Sequence, residues 1–218
     1  MGKHICILQT SFAKRDDTIE YLKSRMPDLR ISFITDSVML EDVRNAGAPT
    51  ASVRERLMLY ALAAEKMGVD LILNTCSTVG DVADDIARII SAPLVRIDAP
   101  MARQAASLGD NIALISTVET TVAPSRNIIV REGRALGREI NVSAFVEQAA
   151  WEALSSGDTA LHNRLLIERI SDLDGKYDAV VMAQVSMRAL LPELSGMKTP
   201  VLCSFYSGLD AALQMLGR

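Results

Sequence analysis

The sequence predicts an α/β protein made of two units that share a similar layout. About half of its 218 residues are apolar and only 4% are aromatic. This composition favours aliphatic layers of helix and sheet over an all-β sandwich. Short apolar runs alternate with segments of helical periodicity along the chain. Such alternation is typical of parallel sheets joined by right-handed crossovers.

In the first unit, apolar runs predict the strands and helical spacing predicts the helices. The predicted strands cover residues 4–9, 30–35, 70–74 and 93–97, and the predicted helices cover 16–26, 52–67 and 79–90. Pro27 stops the first helix. Ser52 and Glu55 have the spacing of a capping box at the start of the second, and Gly68 can end it. The polar stretch 36–50 predicts a loop with a short helix over 39–44.

The second unit repeats this order of elements. Its predicted strands cover residues 111–115, 139–145, 177–182 and 201–204, and its predicted helices cover 101–107, 124–136, 149–156, 159–173 and 187–194. A closing helix over 208–216 follows the last strand and is assigned to the first unit. Gly137 and Gly157 follow helix ends, and Asp158 can cap the longest helix. We therefore divide the chain into an N-terminal lobe of residues 1–97 plus 205–218 and a C-terminal lobe of residues 98–204.

Charge, hydropathy and cysteine usage exclude several classes of protein. A net charge of -4 provides no basic field for nucleic acid, so no nucleic-acid partner is expected. No apolar run approaches the ~20 residues of a membrane span, and the N-terminus shows no cleavable signal. The three cysteines are far apart, which suggests reduced thiols in the cytoplasm.

Cofactor and metal motifs are also missing from the sequence. There is no GxxxxGK[ST] loop, and no GxGxxG follows the first strand, so a nucleotide cofactor is not expected. The lack of a GxSxG elbow argues against an α/β-hydrolase. Three scattered cysteines and two histidines do not offer zinc-ligand spacing, so no metal is expected either.

Clusters of hydroxyl and amide side chains follow four of the predicted strands. They cover residues 9–11, 74–78, 116–121 and 184–187. Ligands of open α/β sheets bind at the carboxyl ends of strands, and domain interfaces are common ligand sites. If the two lobes face each other, the four clusters surround one cleft. Hydroxyls and backbone N–H groups at helix starts can bind a carboxylate without an arginine.

Cys76 is the candidate reactive residue, because it lies between a strand end and a helix start. The partial positive charge of a helix N-terminus favours thiolate over thiol. A thiolate beside a carboxylate cradle can act as a base on the adjacent carbon or as a nucleophile. The alternative is a buried structural cysteine. Cys6 and Cys203 are expected in core surroundings, and His162 is expected to be a surface or packing residue.

Four sequence motifs, in this order, are similar to those of one enzyme superfamily. They are Asn74-Thr75-Cys76-Ser77-Thr78, Ile115-Ser116-Thr117 with Thr120 and Thr121, residues 149–158 followed by His162, and residues 180–187. Together they resemble the aspartate/glutamate racemase superfamily, and in particular its hydantoin-racemase-like branch. The superfamily also includes maleate isomerases and arylmalonate decarboxylases.

The resemblance implies two pseudo-symmetric flavodoxin-like lobes, each a mostly parallel sheet flanked by helices, with the active site in the cleft between them. It also implies chemistry without a cofactor and frequent homo-oligomers. In two-base members one cysteine removes a proton beside the carboxylate and a second returns it. Cys76 matches the first cysteine, but Gln184 stands where the second is expected. Single-thiol chemistry stays open, with Ser186, Cys203 or water completing a proton transfer, or with addition to an unsaturated acid.

We therefore expect an isomerase or racemase that acts next to the carboxylate of a small amino-acid-like or hydantoin-like substrate. Cys76 and Gln184 are its expected catalytic positions. The residues expected to bind the substrate are Gln9, Ser11, Asn74, Ser77, Thr78, Thr117, Thr120, Thr121 and Ser186. The alternatives are a decarboxylase-type lyase on a small diacid and a non-catalytic protein that binds small carboxylates.

Overall fold

Two compact α/β units make up the chain. The computed structural model describes residues 2–11 and 15–217. One unit consists of Met1–Ile97 with Phe205–Arg218, and the other consists of Asp98–Ser204. No helix within the described residues is long and apolar enough to cross a membrane.

The first unit is built on a parallel sheet, which in the part of the chain that the structure describes has four strands in the order β2-β1-β3-β4. The strands are β1 (His4–Gln9), β2 (Arg30–Thr35), β3 (Leu71–Asn74) and β4 (Leu94–Arg96). The helices are α1 (Arg15–Arg25), α2 (Met39–Ala46), α3 (Ala51–Lys66) and α4 (Gly80–Ala87). Every residue of β1 and β3 is buried, because both strands are central.

The core of this unit lies between the sheet and α3. Val53, Leu57, Ala61 and Ala64 recur at helical spacing and pack against strand residues that include Ile72. Cys6 belongs to the same cluster and has no exposed surface, as its apolar neighbours predict. The buried face of α3 thus fixes the helix against the strands whose ends carry the polar clusters.

One helix start and one helix end in this unit differ from the sequence prediction. Helix α3 begins at Ala51, because the Thr50 hydroxyl accepts a hydrogen bond from the Val53 N–H, so Thr50 and not Ser52 is its N-cap. Helix α2 extends to Ala46, where Gly47 adopts a φ of 75° and ends it.

The second unit has a parallel sheet of the same design, with four strands within the described residues in the order β6-β5-β7-β8. Its strands are β5 (Asn111–Ser116), β6 (Asn141–Val146), β7 (Ala179–Met182) and β8 (Val201–Cys203). Its helices are α5 (Ala99–Leu108), α6 (Val122–Ala135), α7 (Gln148–Ser155) and α8 (Thr159–Ser171). The predicted fold class, two similar lobes of parallel sheet flanked by helices, is confirmed.

Apolar residues cover both faces of this sheet. Leu114 and Val181 pack with residues of α5 and α6, whereas Ile115 and Val180 pack with residues of α8. His162 is a packing residue, since it is buried and its Nδ1 lies 2.9 Å from the Ala150 carbonyl of α7.

Elements near the end of the chain differ in type or in bounds from the prediction. The segment predicted as helical over 187–194 is a 3-10 helix over Val185–Leu190. The last helix, α9 (Ser204–Leu216), begins directly after β8 and four residues earlier than predicted. Its buried face carries Phe205, Leu209 and Ala212, which continue the helical spacing back to the strand.

Candidate active site

The first polar cluster lies at the carboxyl ends of β1 and β3. These strands are neighbours with Leu8 opposite Asn74, so residues 9–11 and 74–78 leave the sheet at the same edge. Thr75 ties the two loops together, because its backbone N–H and its hydroxyl both donate to the Leu8 carbonyl, at 3.0 and 3.1 Å. The topology therefore brings both predicted clusters of this unit together.

The predicted binding residues of this cluster differ in exposure and in partners. Gln9 donates from its amide to the Thr35 hydroxyl at 2.9 Å, and Ser11 is exposed. Asn74 is buried, and its Nδ2 donates to the Cys76 carbonyl at 3.0 Å. Asn74 thus shapes the loop that carries the thiol.

Cys76 follows β3 directly and precedes the 3-10 helix Ser77–Val79, which leads into α4. Its side chain is almost fully buried, with 8% of the residue exposed. The sulfur receives hydrogen bonds from the Thr10 hydroxyl, from the backbone N–H groups of Val79 and Thr78, and from the Thr78 hydroxyl. The turn therefore aims several donors at one sulfur atom.

Burial and hydrogen bonding act in opposite directions on this thiol. Burial raises the pKa of Cys76, while the hydrogen bonds from Thr10, Val79 and Thr78 lower it, and burial is the larger effect. The lowering expected from a helix start is present but is outweighed. Cys76 is consequently a thiol at neutral pH, in a setting prepared to stabilise its thiolate.

A small cavity lies beneath this cluster, between the strand ends and helices α2 and α3. Its volume of about 10 Å³ is that of a single water site. Tyr60 and Asp36 line it, and the Tyr60 hydroxyl donates to Asp36 at 2.9 Å. Burial raises the pKa of Tyr60, and this hydrogen bond raises it further. Asn74 also lines the cavity, and its Oδ1 has no partner among the described residues.

The second polar cluster lies at the carboxyl ends of β5 and β7, which are neighbours in the other sheet. Gln184 bridges the two strand ends. Its Nε2 lies 3.1 Å from the Ser116 hydroxyl and 3.3 Å from the Thr117 hydroxyl, and its Oε1 accepts the Thr117 N–H at 3.3 Å. Both ends of the Gln184 amide are therefore held by Ser116, the last residue of β5, and by Thr117, which follows it.

The other predicted residues of this unit lie in the turns that follow these strands. Thr120 and Thr121 belong to the 3-10 helix Glu119–Thr121 after β5. Thr121 is buried, and the buried Thr120 hydroxyl has no partner among the residues described. Ser186 is half-buried in the 3-10 helix after β7. Cys203 is half-buried at the end of β8.

Sequence reasoning missed two residues around this loop: Thr10, whose hydroxyl reaches the Cys76 sulfur, and Arg96, which lies against Gly80 at the end of the turn after Cys76. Thr10 lies within the predicted cluster 9–11, but spacing alone does not show that its hydroxyl reaches the sulfur. Arg96 is a charged residue in an apolar strand, and its side chain is buried. A charged residue between the apolar residues Val95 and Ile97 is the signal that the sequence offers.

Among residues 2–11 and 15–217, no group of three or more histidine, cysteine or acidic side chains is arranged to hold a metal ion.

The chain is similar in sequence and in fold to known racemases. The model of the Asp/Glu/Hydantoin racemase family matches residues 9–215. A putative Asp/Glu racemase from Yersinia pestis superposes with a TM-score of 0.76 at 17% identity, covering 99% of this chain and 100% of that one. None of the curated proteins compared with the chain matches it significantly.

Two further solved structures show the same fold. Glutamate racemase from Thermus thermophilus, in complex with β-chloro-D-alanine, gives a TM-score of 0.75 at 17% identity, over 99% of this chain and 80% of that one. Allantoin racemase from Klebsiella pneumoniae gives a TM-score of 0.65 at 15% identity, over 99% of this chain and 88% of that one.

The fold and the family match define an isomerase of the racemase type. The chain belongs to the Asp/Glu/hydantoin racemase family, as the motifs around Cys76 and Gln184 predict.

Proposed function

We propose that the protein is a cofactor-independent racemase or isomerase that acts on the carbon next to the carboxylate of a small amino-acid-like or hydantoin-like substrate. Cys76 is proposed as the single catalytic cysteine, acting as base or nucleophile. The observation that carries this proposal is the buried Cys76 sulfur, which receives hydrogen bonds from Thr10, Thr78 and Val79. A purely structural thiol has no need of several donors directed at its sulfur.

The proposed chemistry depends on the thiolate form of Cys76. Because burial raises the pKa of this thiol, the thiolate fraction at neutral pH is small and grows as the pH rises. We expect kcat/KM to increase with pH until Cys76 is fully ionised. A rate that falls over the same range, on an intact protein, contradicts a thiolate mechanism.

Neutral donors are proposed to bind the substrate carboxylate. The residues assigned to this role are Gln9, Ser11, Asn74, Ser77, Thr78, Thr117, Thr120, Thr121 and Ser186. Hydroxyls, amides and backbone N–H groups can hold a carboxylate by hydrogen bonds without a formal positive charge. The weak fields of such groups also leave the neighbouring thiolate free to act as a base.

Gln184 sets the expected stereochemical behaviour. A carboxamide does not give up or take a proton at neutral pH, so Gln184 cannot replace a second cysteine as an acid or base. A proton removed by Cys76 then returns from Cys76 itself, or is supplied instead by Ser186, Cys203 or water. We therefore expect deuterium exchange at the substrate carbon to be faster than inversion.

The test is incubation with amino acids, hydantoins and maleate in deuterated water. Deuterium incorporation, enantiomer ratio, isomerisation and carbon dioxide release are followed in parallel. The wild type is expected to exchange at least one substrate, and Cys76→Ser is expected to lose that activity. Absence of exchange and isomerisation for every substrate contradicts the proposal, whereas carbon dioxide release from a small diacid supports the lyase alternative.

A Gln184→Cys variant tests the role of the second position. It places a thiol where two-cysteine members of the superfamily have one, so inversion should rise relative to exchange. Gln184→Ser is the matched control, because it removes the same amide contacts without adding a thiol. Equal ratios of inversion to exchange in the two variants contradict the assignment.

The second candidate is a protein that binds small carboxylates without turning them over. The contacts of the Gln184 amide favour it, because they occupy both Ser116 and Thr117 at the strand end. Calorimetric titration of wild type and Cys76→Ser separates the two functions. Equal affinity in both proteins, with no exchange in the wild type, supports the binding protein.

Compartment and assembly complete the proposal. We propose that the protein is cytoplasmic, because Cys6, Cys76 and Cys203 form no disulfide with one another and thiols stay reduced in that compartment. We also propose a homo-oligomer, which analytical ultracentrifugation at several protein concentrations tests directly.

A further inference from the structure

Arg96 is a buried cation on the strand next to the one that leads into Cys76. It occupies β4, opposite Asn74 of β3. Only 1% of its side chain is exposed, and its Nη1 lies 3.1 Å from a carboxylate oxygen of Asp81 and 3.0 Å from one of Asp84. Both aspartates belong to α4, so the guanidinium attaches this helix to the sheet.

The guanidinium also lies directly against Gly80, the first residue of α4. A Cβ atom added to Gly80 would lie 2.3 Å from Cζ of Arg96 and 2.5 Å from one of its terminal nitrogens. No side chain at position 80 fits unless Arg96 moves, and Arg96 is held by its two carboxylate partners. The glycine thus allows a close approach of arginine and helix backbone.

This contact is linked to the sulfur of Cys76 through one short turn. The 3-10 helix Ser77–Val79 connects Cys76 to Gly80, and the Gly80 N–H donates to the Ser77 carbonyl. The N–H groups of Thr78 and Val79 in this turn are the backbone donors to the sulfur. A shift of Gly80 therefore moves both donors relative to the sulfur.

We propose that Arg96 is a positioning residue which, through Gly80 and the two aspartates, holds the Thr78 and Val79 N–H groups against the Cys76 sulfur. The inference rests on the proposed function only in that Cys76 is the proposed catalytic thiol. Removal of the guanidinium leaves Asp81 and Asp84 on successive turns of α4 without this shared cation. Their mutual repulsion then favours displacement of the first turn.

The experiment measures ionisation of Cys76 by ultraviolet thiolate absorbance across a pH titration. Each variant is compared with the same variant carrying Cys76→Ser, so that the difference belongs to Cys76 alone. Arg96→Met and Gly80→Ala are expected to move the midpoint to higher pH and to lower the thiolate fraction at neutral pH roughly tenfold. Arg96→Lys, which keeps the charge and loses the planar fork, is expected to move it less.

Arg88→Met is the matched control. Arg88 is on the solvent side just after α4, where its side chain is 74% exposed and pairs with Asp85. Its removal should leave the Cys76 midpoint unchanged. A purely structural role of Arg96 would lower the melting temperature of Arg96→Met without moving the midpoint, and that result overturns the inference.

If Arg96→Met does not fold, Gly80→Ala tests the inference instead, because this substitution adds one methyl group to the contact between Gly80 and Arg96. An unchanged midpoint in folded Gly80→Ala overturns the inference. The titration needs no turnover. An inactive wild type therefore counts against the proposed function alone, and a shifted midpoint still supports the role of Arg96.

Discussion

Replacing Thr78 by valine tests how the protein stabilises the Cys76 thiolate. Thr78 is buried, and its hydroxyl is one of the donors to the sulfur. A hydrogen bond to a charged group contributes about 1.5–3 kcal/mol. Since about 1.4 kcal/mol corresponds to a factor of ten, its loss lowers the thiolate fraction by about 10- to 100-fold. Three other donor groups remain on the sulfur, so we expect a value near tenfold.

The assay is the rate of Cys76 alkylation by iodoacetamide as a function of pH, read by peptide mass spectrometry so that Cys6 and Cys203 do not contribute. Thr78→Val should shift the profile to higher pH and lower kcat/KM by a similar factor. Thr199→Val is the matched control, because Thr199 is equally buried and belongs to the second unit. An unshifted profile in Thr78→Val, or an equal shift in Thr199→Val, refutes the reasoning.

Three further predictions concern stability, each measured by chemical denaturation. Thr50→Ala should lower the free energy of unfolding by about 1 kcal/mol as the N-cap of α3 is lost, whereas Ser52→Ala should leave it nearly unchanged; equal effects contradict the assigned cap. Burial raises the pKa of Cys6 from 9.0 to about 11, so the folded protein keeps a proton that the unfolded chain loses and stability declines between these pH values by roughly 3 kcal/mol. Cys6→Ala should remove this decline in the free energy of unfolding. If the variant loses as much stability as the wild type between the two pH values, the prediction is contradicted. Backbone hydrogen bonds, with that from Thr199 the strongest, lower the pKa of the Asp174 carboxyl from 3.8. The ionised Asp174 carboxyl therefore stabilises the folded protein above pH 3.8, and this stabilisation is lost as the pH falls through the lower pKa of the folded state. Asp174→Asn should accordingly be less stable than the wild type at neutral pH and should lose less stability on acidification.

The fold could be predicted because the alternation of apolar runs and helical segments in the sequence matches the alternation of strands and helices in the two parallel sheets. Apolar runs bounded by glycine, proline and polar residues predict the central strands, and alternation with helices leads to parallel pairing. The exact start of a helix is harder to predict from the sequence than its presence. Both Thr50 and Ser52 are good N-cap residues, and only the extended backbone of Thr50, with a ψ of 171°, shows which one caps α3.

The location of the polar clusters could also be predicted, because the carboxyl ends of neighbouring parallel strands meet at one edge of a sheet. The detailed surroundings of Cys76 could not. Which donors reach the sulfur depends on the 3-10 geometry after Cys76, and no residue pattern specifies that turn. The Gln184 contacts likewise depend on the side-chain conformation in the folded loop, although the motif predicts the position itself.

The last helix has a consequence for the order in which the chain can fold. Helix α9 belongs to the first unit although it follows the whole of the second unit in sequence. Tyr21 of α1 donates to Asp210 of α9 at 2.8 Å, and Gly208 packs so closely on Ile97 that an added Cβ would lie 2.3 Å from its carbonyl oxygen. A nascent chain on the ribosome therefore cannot complete its first unit until residues 205–216 have emerged. The second unit is contiguous and can fold earlier, which reverses the usual N-terminal-first order of domain folding during synthesis.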